Sequence, residues 1–586
     1  MLLTRLAQHA QQRSDLPPPF YRNRTIRWAI RITGDGLPAA KALDDRSGTD
    51  QPAGQPLAAP YVYRSGQRPP AVLLADTLQY VVALRAADTK RDLAEAMRRN
   101  GDYIALLARW RDNAPDDPVA RAVLAFFEAE HHLRIKVPAE AKPADVAAIM
   151  VDGQWAHLRG SAVSFWAKVV RERKSSAAGV GICLVCGQPG PLLDTIPEAI
   201  KSGAIPAGGG RGRDAQLVSV NKAAQGRSGK IQLASAPVCD GCGSAAMSAL
   251  NALLADEVHR YRCADSVLAW WLREPALFDP LAWLRQPEPG QVRELIAQVS
   301  SPGREPATGG VDSNAFYAVT LSVNQSRAVV RDWLEVPLSQ IQRRIAAWFA
   351  DHQIADLWHD GPQVVPLWLM ARAAGRWGTE SGQQRYLTAA VPPGCERDLL
   401  LAALRGTRPP GYLLPHLLQR IRADSRIDVA RAALLRLILV RALDSPKENF
   451  MLGLDPDAPY PAYQCGRMFA VLEGIQREAL GRDVNATIAD KYLPAATTTP
   501  RAVLVMLKRN ASGHLKRLRR SSGGAANALS NRLDEVLSHL HADGNIPPFL
   551  DLEGQAQFIL GYHHQRAADI AAARAYSAQK KTPATA

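Results

Sequence analysis

Four cysteines tie two distant points of this chain together. "GICLVCGQPG" (181–190) carries Cys183 and Cys186, and "PVCDGCGS" carries Cys239 and Cys242, with 52 residues between the pairs. Two C-x-x-C knuckles can supply four thiolates to one tetrahedral zinc, because the short spacing lets both sulfurs of a pair point inward. Gly187 and Gly243 follow the second cysteine of each pair and free the backbone to turn towards a metal. Only seven cysteines occur in 586 residues, so four in two such pairs are hard to ascribe to chance. The gap exceeds the roughly 15–20 residues of a compact zinc ribbon. The intervening chain must therefore loop out, and "AIPAGGGRGRDAQLVSVNKAAQGRSGK" (204–230), glycine-rich and basic, suits that. A redox device needs one C-x-x-C at the start of a helix and leaves the second pair unexplained. A structural zinc is the favoured reading, with reduced unliganded thiols and redox as the alternatives. Four thiolates leave no open position for metal catalysis. Cys263, Cys395 and Cys465 are isolated and read as small buried apolar residues.

Lys and Arg outnumber Asp and Glu by 71 to 56, a net charge of +15. That balance favours a polyanionic partner, nucleic acid or an anionic surface. No stretch reaches the roughly 18 apolar residues of a membrane span. The longest, "AALLRLILVRAL" (432–443), is interrupted by Arg436 and Arg441. The N-terminus lacks a long apolar core and a small-residue cleavage site, so a cytoplasmic protein is expected. Walker A, G-x-S-x-G and H-E-x-x-H motifs are absent from the sequence. His359-Asp360, His131-His132 and His563-His564 have no cluster of partners around them, so no enzyme is expected.

The pattern along the chain gives an α+β fold: a mixed α/β N-terminal half with the zinc-knuckle element, then an all-α half ending in a helical bundle. Residues 1–14 read as a helix. "TIRWAIRITGDGLP" alternates, with Ile26, Trp28, Ile30 and Ile32 on one face, and reads as a half-buried strand entering a hairpin at Gly34-Asp35-Gly36. "YVYR" (61–64) reads as a short strand, 76–175 as helical, "QLVSV" (216–220) as a strand and "SPGREPATGGVD" (301–312) as a linker. "AFYAVTLSV" (315–323) reads as a strand and nearly everything beyond about 325 as helix. The expected domains are 1–325, with a helical insertion at about 85–175 and the knuckle region at 181–245, then a helical middle region 326–450 and a bundle 451–586.

Two basic segments stand out. The first, 208–230, sets Arg211, Arg213, Lys222, Arg227 and Lys230 among glycines. Phosphate binding and a solvated surface loop explain it equally well. The second, "RAVLVMLKRNASGHLKRLRR" (501–520), has seven Lys/Arg and no acid. On a helical wheel Leu504, Leu507, Ala511, Leu515 and Leu518 share one face, while Arg501, Lys508, Lys516 and Arg519 share the opposite one. A solvated bundle face usually includes acids, so a phosphate-binding stripe is favoured. Gly513 counts against a continuous helix.

The order of motifs resembles the large subunit of the type I-C CRISPR–Cas surveillance complex (Cascade). The matching stretches run nearly end to end and include "LPPPFYRNRTIRWAIRI", "LLADTLQYVVAL", "ASAPVCDGCGSAAMSALNALL", "GRMFAVLEGIQREALGRDVNATIADKYLPAATTTPRAVL" and "FLDLEGQAQFILGYHHQR". The resemblance implies a non-catalytic antiviral-defence subunit that works with a CRISPR RNA and with backbone, guide-end-binding and small subunits. It implies recognition of the protospacer-adjacent motif in double-stranded DNA, help in opening the duplex, and a C-terminal bundle along the displaced single strand. Cleavage would fall to a recruited helicase–nuclease. In that frame Arg22, Arg24, Arg27, Arg31, Arg211, Arg213 and Lys222 are expected on phosphates, and Gln67, Thr77, Gln79, Gln216 and Asn221 within reach of base edges. Arg501, Lys508, Arg509, Lys516, Arg517, Arg519 and Arg520 would hold single-stranded DNA. Relatives often have asparagine where this chain has Thr77, which puts the preferred motif in question. An internal start at Met451 or Met468 would release the bundle as a separate small subunit. The competing identities are an autonomous zinc-containing DNA-binding regulator and a C-x-x-C oxidoreductase.

Overall fold

The computed structural model describes residues 1–64, 68–175, 179–206, 214–276, 279–300, 314–359, 361–442, 452–481, 486–542 and 546–581. The chain divides into two units. The first is Met1–Arg262 with Ser266–Trp271 and Tyr317–Leu334, and the second is Cys263–Asp265, Leu272–Phe316 and Glu335–Ala586.

In the first unit the alternating stretch 26–32 does form extended chain, but Arg27 divides it. β1 (Tyr21–Ile26) pairs antiparallel with β4 (Gln55–Pro60), while β2 (Trp28–Ile32) turns through Gly34–Gly36 into β3 (Pro38–Asp45). β2 also lies parallel to β6 (Val146–Val151), which pairs antiparallel with β5 (Ala75–Thr77) and β7 (Gln154–Trp155). Helices α3 (Lys90–Asn113), α4 (Pro118–Glu128) and α5 (Gly160–Lys174) pack Tyr103, Trp110, Phe126, Phe127 and Trp166 against Trp28, Ile30 and Ile149 on one face. Ile26, Ala59, Ala75 and Ala148 are buried on the other. Both faces of β6 are therefore covered. That explains why "VAAIMV" lacks the period-2 signal and is hidden in a region whose sequence reads as helix. The caps of α3 and α4 follow sequence rules: Thr89 accepts from Asp92 N–H at 3.0 Å, and Asp117 from Val119 N–H at 2.9 Å ahead of Pro118.

The remaining elements of this unit are α1 (Leu2–Gln11), the single turn α2 (Leu78–Val81), the β8–β9 hairpin (Val180–Ile182 with Pro189–Pro191) and α6 (Asp240–Ala255). A four-stranded sheet follows, of order β10 (Arg260–Arg262), β11 (Val267–Leu272), β12 (Ala315–Asn324) and β13 (Arg327–Pro337). β13 corrects the helical expectation beyond 325. The strand expected at 61–64 lies instead at β4. Beyond Pro60 the chain leaves the ladder, with Tyr61 N–H donating to Phe20 O at 2.8 Å and Tyr63 N–H to Pro197 O at 2.7 Å. "QLVSV" makes only an isolated bridge, Gln216 with Arg327, and is no strand. The 301–312 linker lies wholly outside the described residues.

The second unit is mostly helical: α7 (Pro280–Arg285), α8 (Pro289–Ser300), α9 (Leu338–His352), α10 (Leu367–Ala373), α11 (Cys395–Arg405), α12 (Leu413–Asp424) and α13 (Val429–Val440). Two short ladders interrupt it, β14–β15 (Ile354–Ala355 with Pro362–Gln363) and β16–β17 (Arg376–Glu380 with Gln383–Leu387). After Leu387 the described secondary structure is helical. It ends in α14 (Pro461–Leu480), α15 (Ile488–Ala496), α16 (Pro500–Ser521), α17 (Gly523–Ala542) and α18 (Leu552–Lys581), with α14 packed on α16, α17 and α18. The α+β class with a helical C-terminal bundle is thus as the sequence indicates.

The block "LGYHHQR" accounts for much of that bundle. A Cβ on Gly561 would meet Tyr463 O at 2.1 Å, and one on Gly466 would meet Phe558 O at 1.9 Å, so α14 and α18 cross backbone to backbone. Tyr562 donates to Glu473 at 2.7 Å, His563 bonds Ala355 O at 2.7 Å, and His564 shares 3.0 Å with the Tyr463 hydroxyl. Gln565 accepts from the buried Arg467 at 3.0 Å, and Arg566 donates to the Tyr562 hydroxyl at 2.9 Å. In "NATIADKY", Thr487 and Asp490 form a capping box at the start of α15.

Candidate metal centre and nucleic-acid interface

Cys183 directly follows β8, and the chain turns back at Gly187, whose φ of +73° favours glycine and whose N–H donates to Cys183 O at 2.8 Å. Cys239 caps α6 and Cys242 lies in its first turn. Gly243 serves differently from the turn expected of it. It sits inside the helix, and a Cβ there would meet Leu193 Cδ1 at 2.6 Å, so it permits close packing. Bonds of 2.9 Å from Leu184 N–H to Pro237 O and from Leu193 N–H to Val238 O join the two knuckles.

The four sulfurs all lie within 4.8 Å of one another, with Cys186 and Cys239 4.0 Å apart. A tetrahedral zinc site with Zn–S near 2.3 Å has sulfur–sulfur edges of about 3.8 Å, whereas a disulfide needs about 2.05 Å. All four thiols are free. Cys183 is fully buried, yet its sulfur accepts backbone N–H groups from Cys239 at 3.3 Å and Val185 at 3.4 Å. Burial raises this thiol, but the N–H groups of Cys239, Cys186 and Val185 together outweigh it and bring it to about 6. Burial and the adjacent sulfurs push Cys242 well above the usual thiol range. Negative charge on one sulfur thus opposes charge on the next, and a divalent cation at the centre relieves that opposition. The set can hold a metal ion, and four sulfurs are the donor set of zinc or an iron–sulfur centre.

Inside the span 187–238, residues 207–213 lie outside the described residues, Arg211 and Arg213 among them, as does Gln67. Both approaches to 207–213 are fixed. Ile200 and Ala215 exchange backbone bonds of 2.8 and 2.9 Å, and Asp214 accepts from Ser202 N–H and the Tyr61 hydroxyl, each at 2.9 Å. Arg22 donates to Asp214 at 3.3 Å and lies 3.4 Å over the Tyr61 ring, so it is engaged within the protein. Arg24 is turned inward, donating to Pro60 O at 3.0 Å and Ala75 O at 2.6 Å, and burial lowers it to about 10. Arg27 lies between Asp45 and Asp145 at 3.8 and 3.7 Å. Of these four arginines Arg31 alone is exposed.

Asp76, fully buried, organises the turn that carries Thr77 and Gln79. It takes Arg64 on both oxygens at 2.9 and 3.0 Å and the N–H groups of Val72 and Thr77 at 2.8 Å. The Thr77 hydroxyl has no hydrogen bond among the described residues, and Gln79 accepts from Arg99. Gln216 is held through its backbone by Ser326 O and Ala328 N–H, each at 2.9 Å. Asn221 accepts from Gln232 at 2.9 Å in a turn that closes where Gly226 meets Lys230 O. Lys222, Arg227 and Lys230 are exposed on that turn.

In the second unit α16 runs unbroken through Gly513. Leu504, Leu507, Ala511 and Leu518 are buried, as is Val503, and Leu515 is half-buried. Arg501, Lys508, Arg509, Lys516, Arg517, Arg519 and Arg520 are all exposed. None of them has an ion pair among the described residues, and Arg501 donates to Ile546 O at 2.7 Å. Beside Arg501, Lys508 and Arg509 lies a groove of about 690 Å³ floored by Met468, Val505, Leu537, Leu540 and Ile546. Sequence reasoning missed this floor, because its residues come from segments far apart in the chain that no local pattern connects. Among the described residues no helix is long and apolar enough to cross a membrane.

The exposed cations of α16, which meet no acid among the described residues, and the four-sulfur centre describe a basic protein able to hold a metal ion. The sequence model of the family described as CRISPR-associated protein (Cas_Csd1) matches residues 3–569, and the chain belongs to that family. No curated protein matches it.

Proposed function

We propose that the chain is the non-catalytic large subunit of a type I-C CRISPR RNA-guided surveillance complex. It reads the protospacer-adjacent motif in double-stranded DNA, helps open the duplex, holds the displaced strand, and supports recruitment of a separate helicase–nuclease. The observation that carries this reading is α16, whose seven cations are exposed and free of acids on a chain of a CRISPR-associated family. Such a stripe binds phosphates by charge without reading bases. The exposed turn with Lys222, Arg227 and Lys230, together with Arg211, Arg213 and Arg31, suits the motif end. Thr77, with its unbonded hydroxyl, is the candidate base reader there. The metal is a structural zinc on Cys183, Cys186, Cys239 and Cys242, framing the span 187–238. The other Cascade subunits and the guide RNA are the partners.

The test is binding of the assembled complex to a randomised motif library, with charge reversals at Arg211/Arg213 and at Lys516/Arg519. Reversals in the loop alter motif-dependent capture, while those in α16 weaken R-loop stability and leave motif choice unchanged. Equal effects on motif choice would overturn this division. Tight binding of a specific duplex by the chain alone would favour an autonomous regulator.

A further inference from the structure

Between residues 356 and 430 the second unit exposes indoles that a folded chain ordinarily covers. Trp358 is 68% exposed and Trp368 39%. With Trp377 and Tyr386 they line a cleft of about 430 Å³, within the roughly 300–1,000 Å³ range of ligand sites. Its walls are built and held. Trp377 and Tyr386 are cross-strand partners in β16–β17, with centroids 4.9 Å apart at 77°. The Tyr386 hydroxyl donates to Asp428 at 2.7 Å, and Arg426 Nε donates to the same oxygen at 2.9 Å. The Arg426 guanidinium lies 3.6 Å over the Trp377 ring, and the Arg372 guanidinium 5.2 Å from the Trp368 centroid.

Charge decides what such a cleft accepts. Asp428 is satisfied by Arg426 and Tyr386, and Asp356 by His359. The face of Trp377 already carries the Arg426 guanidinium, and Arg372 stands beside Trp368, so a cationic ligand would meet cations where an aromatic cage needs bare rings. What remains is flat aromatic surface, led by the exposed Trp358, beside Arg372, which has no carboxylate partner among the described residues. A planar group that carries a phosphate matches both features. We propose that this cleft takes one unstacked nucleotide of single-stranded nucleic acid, with the base against Trp358 and Trp368 and the phosphate on Arg372. Base–aromatic stacking tolerates any sequence, because every base has a π face. The site uses elements other than α16 and does not depend on which complex the chain joins.

The experiment uses the full chain and a fluorescein-labelled deoxythymidine 10-mer, read by anisotropy at two salt concentrations, with a 5-iododeoxyuridine version for photo-cross-linking. Cross-links on the unaltered chain are expected between Asp356 and Arg372. Trp358→Ala and Trp368→Ala should each weaken binding roughly 5- to 100-fold with the salt slope unchanged, and Trp358→Phe should retain most of the affinity. Lys516→Glu with Arg519→Glu should lower the salt slope and leave the cross-link in place. Cross-links confined to other segments would overturn the proposal even if Trp368→Ala fails to fold. It would equally fall if Trp358→Ala left oligonucleotide binding intact while abolishing association with a protein subunit, because the cleft would then be a protein-docking surface.

Discussion

Gly561→Ala and Gly513→Ala are the same substitution in two bundle helices, and the structure gives them opposite signs. A Cβ on Gly561 would lie 2.1 Å from Tyr463 O, about 1.3 Å inside ordinary contact. The obstructing atom is helix backbone, so no rotamer change relieves it and α14 and α18 must part. Parting strains the bonds on either side, Tyr463 to His564 at 3.0 Å and Arg467 to Gln565 at 3.0 Å. Overpacking typically costs about 1–3 kcal/mol and occasionally more, against about 1 kcal/mol of helix propensity gained over glycine. A clash this deep belongs at the upper end, so the net loss is about 2 kcal/mol. At roughly 2–4 °C per kcal/mol for a large domain, the Tm falls by about 4–8 °C. Gly513 has nothing within 4 Å of its Cβ position. There only the propensity term acts, and alanine stabilises by about 0.5–1 kcal/mol. Thermal and urea unfolding of the two variants beside the parent, followed by circular dichroism, measures both. If Gly561→Ala proved as stable as the parent, or if both variants moved the same way, the backbone crossing would not be as described.

Burial raises the Glu198 carboxyl to about 7 from its ordinary 4.5, with Asn251 donating to it at 2.8 Å. The folded state favours the protonated form, so that contribution is fully present below about pH 4.5 and lost as pH rises through 7. Glu198→Gln should therefore stabilise the first unit by up to about 3 kcal/mol at pH 8 and by under about 1 kcal/mol at pH 5, in urea melts at the two pH values. The purified chain should carry about one zinc per molecule by elemental analysis. Cys183→Ser should lose that zinc and open 187–238 to protease while the bundle melts as before, and a metal-free parent would refute the assignment. Met468 is fully buried within α14, downstream of Tyr463 and Arg467, which hold His564 and Gln565. Any shorter product of the gene should therefore begin at Met451 and keep α14 whole, as an N-terminal mass from the complex would show.

The sequence reveals an element where burial is one-sided and hides it where burial is complete. Trp28, Ile30 and Ile32 mark β2 because Arg31 between them faces water. The apolar stripe of α16 is equally legible because its other face is bare. Val146–Val151 is covered on both sides, so its apolar run carries no period and cannot be told from buried helix. The cysteine spacing was enough to bring four sulfurs together, since each knuckle fixes its own pair locally. Cation roles were less legible: nothing in "YRNRTIRWAIR" (21–31) distinguishes Arg24, committed to two carbonyls, from Arg31, exposed at the surface. That distinction depends on Pro60 and Ala75, which are remote in sequence. The groove beside α16 and the cleft at Trp358 were invisible for the same reason.

This difference separates what makes the chain recognisable from what makes it useful. In "LGYHHQR" the glycine has no room for a side chain, and the next five residues each have a named partner. Substituting any of them leaves a clash or an orphaned buried polar group, and such orphans cost about 1–3 kcal/mol each. Residue identity there is fixed by packing. On α16 the cations meet no acid, and a phosphate backbone asks only for charge at the right side of a helix. On the proposed function, exchanging Lys for Arg or shifting a cation by a turn along that stripe should leave binding unchanged. The block "LGYHHQR" therefore reports the bundle's interior. The residues proposed to touch nucleic acid belong to the loosely specified surface, where exposure and the absence of a counter-charge are the informative properties.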